Sequence, residues 1–400
     1  MNFMTKLRLL KSTNSLKLFY PLTSPFKKAK KIFIYGVYGA GNLGDEAILK
    51  CILSQLETLS EYQTIILSKK PDLIYKDYKK TSVHPYIFKK AQFFLNSRSF
   101  SSILILGGGG ILKDYENTPT ALKNFMEIPM IALKNKYKTM LYSAGVENII
   151  FNESRDILKR ILNQFDILTV RDPYSKERLK KLGVQKQIYV TGDPAVLLLS
   201  NMKGKRNFDI DHPLIVVSLR NWFEKGYFQT NEKSFNNFLS VLAYSLDIIV
   251  EKFNAKILFL PFRTVPFDND KDVMNYVASK MNHKQNIFIL QKVPTFDQLK
   301  SIYAQTVLTI GMRLHSLIFS FSSLTPMIAI SYSKKIIDFM NYINMNDFTL
   351  TIDNFSTKSF LNLTEEIFDN FEKLQHSIFI NRNEYLNRLD KNYKLLQSLL

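Results

Sequence analysis

Residues 31–46 read KIFIYGVYGAGNLGDE, and the interpretation of the whole chain starts from this stretch. A short apolar run ends at Gly36, a loop rich in glycine follows, and a helix begins near Asp45. The helix is indicated by apolar residues at helical spacing, namely Ile48, Leu49, Ile52, Leu53 and Leu56. A strand, a glycine loop and a helix in this order predict the first unit of a parallel α/β sheet.

The same alternation continues along the chain. Short apolar runs separated by helical patterns occur at 64–67, 103–106, 139–143, 167–170 and 188–191. After a polar stretch at 201–207 the alternation restarts, with runs at 214–218, 257–260, 287–290, 307–310 and 327–330. Parallel strands are apolar on both faces because helices cover both sides of the sheet. The sequence therefore predicts an α/β protein of two Rossmann-like, doubly wound domains that face a cleft.

These patterns divide the chain into five segments. A basic leader occupies residues 1–30, an N-terminal Rossmann-like domain 31–200, and a linker 201–212. A C-terminal Rossmann-like domain occupies 213–355, and C-terminal helices follow at 356–400. These last helices are polar enough to wrap the surface, and one of them is a candidate to cross back to the N-terminal domain.

The composition is that of a soluble globular protein, with 46% hydrophobic and 22% charged residues among 400. The single cysteine, Cys51, cannot form an internal disulfide and argues against a zinc site built on cysteines. A chain without disulfides fits a reducing compartment. No stretch approaches the about 20 consecutive apolar residues of a membrane-spanning helix. We therefore expect a cytoplasmic protein.

The formal net charge of +19 calls for anionic partners. Lysines are spread along the chain, without the dense basic run or recognition pattern of a nucleic-acid-binding protein, so we expect no nucleic acid partner. Phosphorylated substrates and an anionic membrane surface remain as candidate partners. The leader alternates Lys and Arg with Leu and Phe, which suits either contact with anionic head groups at the inner face of the membrane or a solvated tail. Both interpretations stay open.

Three loops that follow predicted strands carry the residues of chemical interest. In the first, Gly39, Gly41 and Gly44 match G-x-G-x-x-G, which is typical of dinucleotide binding. The helix that follows begins with Asp45 and Glu46, which would repel a pyrophosphate. The next strand ends in the sequence LSKK at 67–70, which lacks a carboxylate for a ribose hydroxyl but suits a 2′-phosphate. The two carboxylates either cap the helix or take a proton from a sugar hydroxyl.

The second loop is the glycine run at 107–110, directly after a predicted strand. Glycine loses more conformational freedom on folding than any other residue, so four in succession indicate a function. Either another part of the backbone crosses closely or a ligand lies on this loop, and we favour the ligand.

The third loop joins a strand to a helix at 309–316 and contains Arg313 and His315. A cation and an imidazole at a helix N-terminus suit anion binding and proton transfer. Arg220 follows the first strand of the same half, where it supplies a second cation.

At these residues the chain resembles the polysaccharide pyruvyltransferase family. The matching stretches lie in the order expected and comprise 39–47, 107–110, 170–175, 192–194, Arg220, 311–315 and 326–335. The resemblance implies a glycosyltransferase-B-like fold, phosphoenolpyruvate as the donor, a saccharide acceptor in the synthesis of a cell-surface polymer, and chemistry without a metal or another cofactor. Whether the acceptor is lipid-linked stays open.

The resemblance also assigns roles to individual residues. It implies that Arg220, Arg313, Leu314 and Lys335 bind the donor and that His315 is catalytic. It places the acceptor against the two glycine loops, with Asp45 as a further catalytic residue, and there the implied contacts are Gly39, Gly41, Asn42, Gly44, Gly108 and Gly109.

The chemistry of the residues agrees with this assignment. Phosphoenolpyruvate carries a phosphate and a carboxylate, which arginine binds with bidentate geometry. Formation of a cyclic ketal requires protonation of the vinyl carbon, for which protonated His315 is the natural acid. Nearby arginines lower the pKa of such an imidazole and a dianionic donor raises it, so we expect donor binding to protonate His315.

Three alternatives follow from the same residues. One is a sugar-nucleotide-dependent glycosyltransferase of the same fold, and another is an NADP-dependent oxidoreductase that uses the first glycine loop. The third is a non-catalytic basic scaffold at the membrane, which would not require Arg220, Arg313 and His315 to converge.

Overall fold

The computed structural model describes residues 30–78, 80–83, 102–114, 118–202, 212–221, 232–266 and 268–400. Two parallel sheets, each flanked by helices, account for most of this part of the chain. The predicted fold class is confirmed. Almost all of the predicted leader and most of the predicted linker lie outside the described residues, and their boundaries stay predictions.

The N-terminal half contains the first eight strands. They are β1 (Lys30–Tyr35), β2 (Tyr62–Leu67), β3 (Thr81–Val83), β4 (Ser102–Leu106), β5 (Gly109–Leu112), β6 (Lys138–Val146), β7 (Ile167–Val170) and β8 (Ile188–Val190). The order across the sheet is β3-β2-β1-β4-β6-β7-β8, all parallel, with β5 paired to β6. Its helices are α1 (Leu43–Leu56), α2 (Pro71–Tyr78), α3 (Thr120–Phe125), α4 (Glu127–Lys134), α5 (Asn152–Leu162), α6 (Pro173–Lys181) and α7 (Leu197–Ser200).

The C-terminal half repeats the same plan. Its strands are β9 (Leu214–Ser218), β10 (Lys256–Phe259), β11 (Thr264–Val265), β12 (Asp268–Asn269), β13 (Ile287–Ile289), β14 (Thr306–Gly311), β15 (Met327–Ser331) and β16 (Thr349–Thr351). The main sheet has the parallel order β13-β10-β9-β14-β15-β16, while β11 and β12 form a small antiparallel pair. Its helices are α8 (Glu232–Phe253), α9 (Asp270–Lys280), α10 (Phe296–Gln305), α11 (Leu314–Ser322), α12 (Lys334–Tyr342), α13 (Thr357–Asp369) and α14 (Phe371–Gln397).

The central strands are buried because both sheets are covered on both faces. All five residues of β4 and all six of β14 are buried, as expected for parallel strands between two layers of helices. The helical spacing of apolar residues in α1 marks its buried face, as predicted. Ile48, Leu49 and Ile52 on this face are fully buried against the sheet. The short strands β3, β5, β11, β12 and β16 were not predicted. Of these, β5 begins with two glycines, which sequence patterns assign to a loop.

Helix α14 crosses from the C-terminal half back to the N-terminal half. The Asn392 amide donates to Ser143 Oγ at 2.9 Å and accepts from Thr169 Oγ1 at 2.8 Å, and both of these partners belong to strands of the first sheet. Earlier in the same helix, Tyr385 Oη accepts from the backbone N–H of Asp193 at 2.6 Å. The last helix therefore ties the two halves together.

Among the helices in the described ranges, none has both the length and the apolar content needed to cross a lipid bilayer.

Candidate active site between the two sheets

The loops singled out from the sequence lie at corresponding places in the two sheets. Strand order reverses between β1 and β4 in the first sheet and between β9 and β14 in the second. Ligands of doubly wound sheets bind beyond the carboxyl ends of the strands at such reversals. The two glycine loops follow β1 and β4, and the segments with Arg220 and Arg313 follow β9 and β14. The candidate site therefore lies where the two reversals face each other.

The first glycine loop is stabilised by a carboxylate of its own helix. The backbone N–H of Gly39 donates to Glu46 Oε1 at 2.7 Å. Burial raises the pKa of Glu46 to about 7, although this hydrogen bond partly offsets the effect. Glu46 thus occupies a backbone donor that a dinucleotide pyrophosphate would need, which argues against the dinucleotide interpretation.

Asp45 lies between the two glycine loops. Asn42 caps α1 by accepting from the Gly44 N–H at 3.2 Å, and its amide donates to Asp45 Oδ2 at 2.8 Å. A Cβ atom on Gly109 would lie 2.9 Å from Asp45 Oδ1, so the carboxylate rests on the glycine run. Burial raises the pKa of Asp45 to about 6, against the opposing effect of Lys113 and Arg263. This carboxyl group is suited to accept a proton near neutral pH.

The predicted acceptor glycines all lie against protein atoms. Added Cβ atoms would meet Ser68 beside Gly39, Val265 beside Gly41, His315 beside Gly44, Ile48 beside Gly108, and Asp45 beside Gly109. The closest approach is at Gly44, where a Cβ would lie 2.0 Å from His315 Nδ1. Close packing against protein atoms therefore accounts for these glycines, and their contact with an acceptor stays a prediction.

Arg313 is held by two carboxylates rather than left facing the cleft. Its Nε donates to Asp270 Oδ1 at 3.0 Å and its Nη2 to Asp268 Oδ1 at 2.6 Å, with a further Nη2 bond to Asp270. Its Nη1 lies 3.4 Å from Asp268 Oδ2. Arginine has five N–H donors, and these contacts engage four of them. Arg313 can therefore offer a donor substrate only a single N–H.

Arg220, Tyr332 and Lys335 form a second group of polar side chains. Arg220 Nη1 donates to the Tyr332 hydroxyl at 2.7 Å, and its guanidinium lies 5.4 Å from the centre of the same ring. Lys335 Nζ lies 5.8 Å from that ring centre. Burial raises the pKa of Tyr332, but Lys335 and Arg220 more than offset it, and the resulting value is about 8. The sequence pointed to the two cations and gave Tyr332 no role.

His315 lies at the boundary of the two halves, with 12% of its side chain exposed. It belongs to the first turn of α11, directly after Leu314, the buried first residue of that helix. Its Nε2 lies 3.8 Å from Asp193 Oδ2, which belongs to the loop after β8 in the other half. Burial, together with the positive charges of Arg171 and Lys335, lowers the pKa of His315 to about 3. The imidazole is therefore neutral at pH 7.

Arg263, which the sequence analysis missed, joins the site from the loop after β10. Its Nη1 lies 3.0 Å from Asp268 Oδ2, while Arg220 Nη2 lies 3.6 Å from the same oxygen. Its backbone forms an isolated antiparallel bridge with Asn42 of the first glycine loop. The position of Arg263 after a parallel strand is the sequence signal that could have identified it.

The N-terminal half supplies further charged groups that the sequence analysis missed. Glu147, after β6, lies 3.6 Å from Lys113 and 3.6 Å from Lys335. Burial raises the pKa of Glu147, but Lys335 and Lys113 overcome it and hold the value at about 2. Arg171, after β7, is buried and pairs with Asp172 at 3.1 Å. Glu147, Lys113 and Arg171 of the N-terminal half therefore lie close to Lys335 of the C-terminal half, at the candidate site.

In the part of the chain that the structure describes, no three His, Cys, Asp or Glu side chains are grouped as metal ligands. Chemistry without a metal stays a prediction.

A sequence model of one protein family, described as polysaccharide pyruvyl transferase, matches residues 42–334. No curated protein matches the chain in sequence.

Solved structures resemble this one in fold at low sequence identity. UDP-GlcNAc 2-epimerase from Neisseria meningitidis, bound to UDP-GlcNAc, has a TM-score of 0.60 at 10% identity, over 92% of this chain and 99% of its own. A glycosyltransferase from Rickettsia africae has a TM-score of 0.59 at 11% identity, over 93% and 99%. Sucrose-phosphate synthase from Thermosynechococcus elongatus has a TM-score of 0.58 at 11% identity, over 92% and 98%. These likenesses show a glycosyltransferase-B fold.

Proposed function

The chain belongs to the polysaccharide pyruvyl transferase family, and on that premise we propose that it transfers the pyruvyl group of phosphoenolpyruvate to a saccharide as a ketal. The acceptor would be an intermediate of a cell-surface polysaccharide. In this proposal, the donor binds against the C-terminal half and the acceptor binds against the two glycine loops.

The observation that supports it most is the convergence of cations from separate strand ends. Arg220 follows β9, Arg263 follows β10 and Lys335 follows β15. Asp268 lies 3.6 Å from Arg220, 3.0 Å from Arg263 and 2.6 Å from Arg313, so one carboxylate already attracts three guanidinium groups. A small ligand with a phosphate and a carboxylate has the charge that such a group of cations favours.

In the proposed reaction, Arg220 and Lys335 hold the donor anions and Arg313 keeps Asp268 and Asp270 in place. A dianionic donor beside His315 favours the imidazolium form of that residue. His315 then gives a proton to the methylene carbon of phosphoenolpyruvate, which becomes the methyl group of the ketal. The neighbouring carbon becomes electron-poor and open to attack.

Two hydroxyls of the saccharide complete the reaction. The first attacks the electron-poor carbon and loses its proton to Asp45. The C–O bond to phosphate breaks, and the second hydroxyl closes the ring. One of the two hydroxyl protons restores the acid and the other leaves on phosphate, so atoms and charge balance. The raised pKa of Asp45, about 6, suits a group that takes up and releases a proton near neutral pH.

Calorimetric titration with phosphoenolpyruvate, UDP-sugars and NADPH tests the donor. We expect binding of phosphoenolpyruvate alone, weakened at least about tenfold by Lys335→Ala because a charged contact is lost. Lys334→Ala is the matched control, since the neighbouring lysine is exposed on the same helix. Binding of a UDP-sugar in place of phosphoenolpyruvate would contradict the proposal and favour a glycosyltransferase, and binding of NADPH would favour an oxidoreductase.

A further inference from the structure

Asp193 and His315 face each other across the boundary between the two halves. Asp193 lies in the loop after β8, and His315 lies in the first turn of α11. Asp193 Oδ2 is 3.8 Å from His315 Nε2. Both atoms are fully buried, and neither has a hydrogen-bonding partner among the described residues. A buried polar atom without a partner costs about 1–3 kcal/mol, so two such atoms facing each other indicate a function.

The Asp193 carboxylate has little freedom to turn elsewhere. Its Oδ1 accepts from the Ala195 N–H at 3.1 Å, and its own N–H donates to Tyr385 Oη at 2.6 Å. The preceding Gly192 has φ of +94° and packs on the ring of Tyr385, so another residue there would be strained and crowded. Only Oδ2 remains, and it is directed at the imidazole.

The positive charges around His315 oppose its protonation, and a carboxylate beside the ring would counteract them. Arg171, Lys335 and Arg313 all disfavour a proton on the imidazole. Among the described residues, Asp193 is the carboxylate in ion-pair range of the ring, and Arg171 and Asp172 are the charged groups that face Asp193 in turn. Asp45, on the neighbouring loop, also interacts with Asp193. An acid at position 315 therefore needs Asp193 to stabilise its charged form.

We propose that Asp193 is a positioning residue that accepts a hydrogen bond from Nε2–H of His315 and so directs the proton on Nδ1 toward the substrates. Donor binding shortens this contact from 3.8 Å. The inference rests on the proposed function, because it takes His315 as the acid of that reaction. It also explains why the two partners come from different halves, since the acid is then complete only when the halves are together.

Nitrogen NMR of the protein labelled at histidine tests the contact directly. The chain has five histidines, and the His315→Gln variant identifies the signals of His315. We expect the neutral ring to carry its proton on Nε2 in the ligand-free protein, and both nitrogens to be protonated in the complex with phosphoenolpyruvate. A ring protonated on Nδ1 alone, with Nε2 bare, would overturn the proposal.

The Asp193→Asn variant tests the effect on catalysis. The amide keeps the hydrogen bond to Ala195 but lacks the charge, so we expect kcat to fall about 100-fold while the Kd for phosphoenolpyruvate changes less than about threefold. The alkaline limb of the pH profile of kcat should move to lower pH, because without the carboxylate His315 loses its proton more readily, and a merely structural role would not cause this shift. Asp247→Asn is the control, because Asp247 is another buried aspartate that accepts from backbone N–H groups.

The possible outcomes separate the two proposals. Unchanged kcat and an unchanged His315 spectrum in a folded Asp193→Asn variant would overturn the role of Asp193. If the variant does not fold, the spectrum of the unsubstituted protein still decides the matter. Absence of phosphoenolpyruvate binding in the unsubstituted protein would instead contradict the proposed function, and the ligand-free spectrum would still report on the contact.

Discussion

His315 and Tyr332 respond in the same direction to the positive charges around them. The pKa of His315 is lowered to about 3, chiefly by burial and further by Arg171 and Lys335. The pKa of Tyr332 is lowered to about 8, where the same lysine and Arg220 outweigh burial. In both cases the nearby positive charges favour the less protonated form, and for His315 they add to the larger effect of burial. An anionic donor would neutralise these surroundings and reverse the effect on both groups.

This reversal predicts that donor binding takes up protons. His315 is neutral at pH 7 in the free protein, because its pKa of about 3 lies far below that pH. Binding of phosphoenolpyruvate is expected to raise this pKa toward or above 7, with uptake of up to about one proton. Calorimetry in buffers of different ionisation enthalpy measures the uptake. His315→Gln should abolish most of it, and equal uptake in that variant would contradict the assignment of His315 as the acid.

The Tyr332 hydroxyl is expected to contribute to donor affinity through Arg220. Tyr332→Phe removes the partner of a 2.7 Å hydrogen bond to the guanidinium. A hydrogen bond to a charged group contributes about 1.5–3 kcal/mol, which corresponds to roughly 10–100-fold in the KM for the donor. Steady-state kinetics measures this, with Tyr244→Phe as a control because Tyr244 is 60% exposed. A KM equal to that of the unsubstituted protein would show that Arg220 does not depend on this hydroxyl.

Helix α14 shows how one element stabilises a strained strand in the opposite half. Ser143 of β6 is buried and has φ of +48°, in the left-handed region that costs a residue with a side chain about 1–3 kcal/mol. The register of β6 against β7 also shifts beside it. Asn392 of α14 forms hydrogen bonds with the side chains of both Ser143 and Thr169. The helix therefore supplies hydrogen-bonding partners to buried polar groups at this irregular part of the sheet.

Removal of the Asn392 amide is expected to lower the free energy of unfolding by about 2–3 kcal/mol. Asn392→Ala would leave the buried hydroxyls of Ser143 and Thr169 each with one partner fewer. Chemical denaturation followed by circular dichroism measures the change. Asn387→Ala, on an exposed face of the same helix, should change it by less than about 0.5 kcal/mol. Equal effects of the two substitutions would mean that α14 does not stabilise β6 in this way.

The two halves of the protein meet at the candidate site itself. The Leu43 N–H donates to the Phe262 carbonyl at 3.0 Å, and Arg178 Nη2 lies 2.6 Å from Asp338 Oδ2. The His315 ring packs where a side chain on Gly44 would otherwise lie. The interface and the chemistry therefore share residues, and a change in how the halves meet should alter activity.

Gly44→Ala is expected to disturb this interface through His315. Gly44 lies in the first turn of α1, where alanine would otherwise favour the helix by up to about 1 kcal/mol. The added Cβ would lie 2.0 Å from His315 Nδ1, so the ring or the half that carries it must shift. We expect a net loss of stability and a large loss of turnover.

A double-mutant cycle identifies the cause of that loss. In a His315→Ala background the clash is absent, and Gly44→Ala should become neutral or stabilising in thermal denaturation. An equal loss in both backgrounds would show that the cost arises elsewhere in α1.

The fold class and the strand-end loops could be predicted from the sequence because their signals are local. An apolar run, a turn glycine and a helical period lie within about 20 residues of one another, and parallel strands bring their carboxyl ends to one edge. The same logic singled out Arg220, Arg313 and His315. The partners of these residues were decided only by the tertiary structure. Asp270 engages Arg313, Tyr332 binds Arg220, and Asp193 faces His315 from the other half. Such contacts depend on how the two halves of the protein pack against each other. No short-range pattern in the sequence predicts that packing.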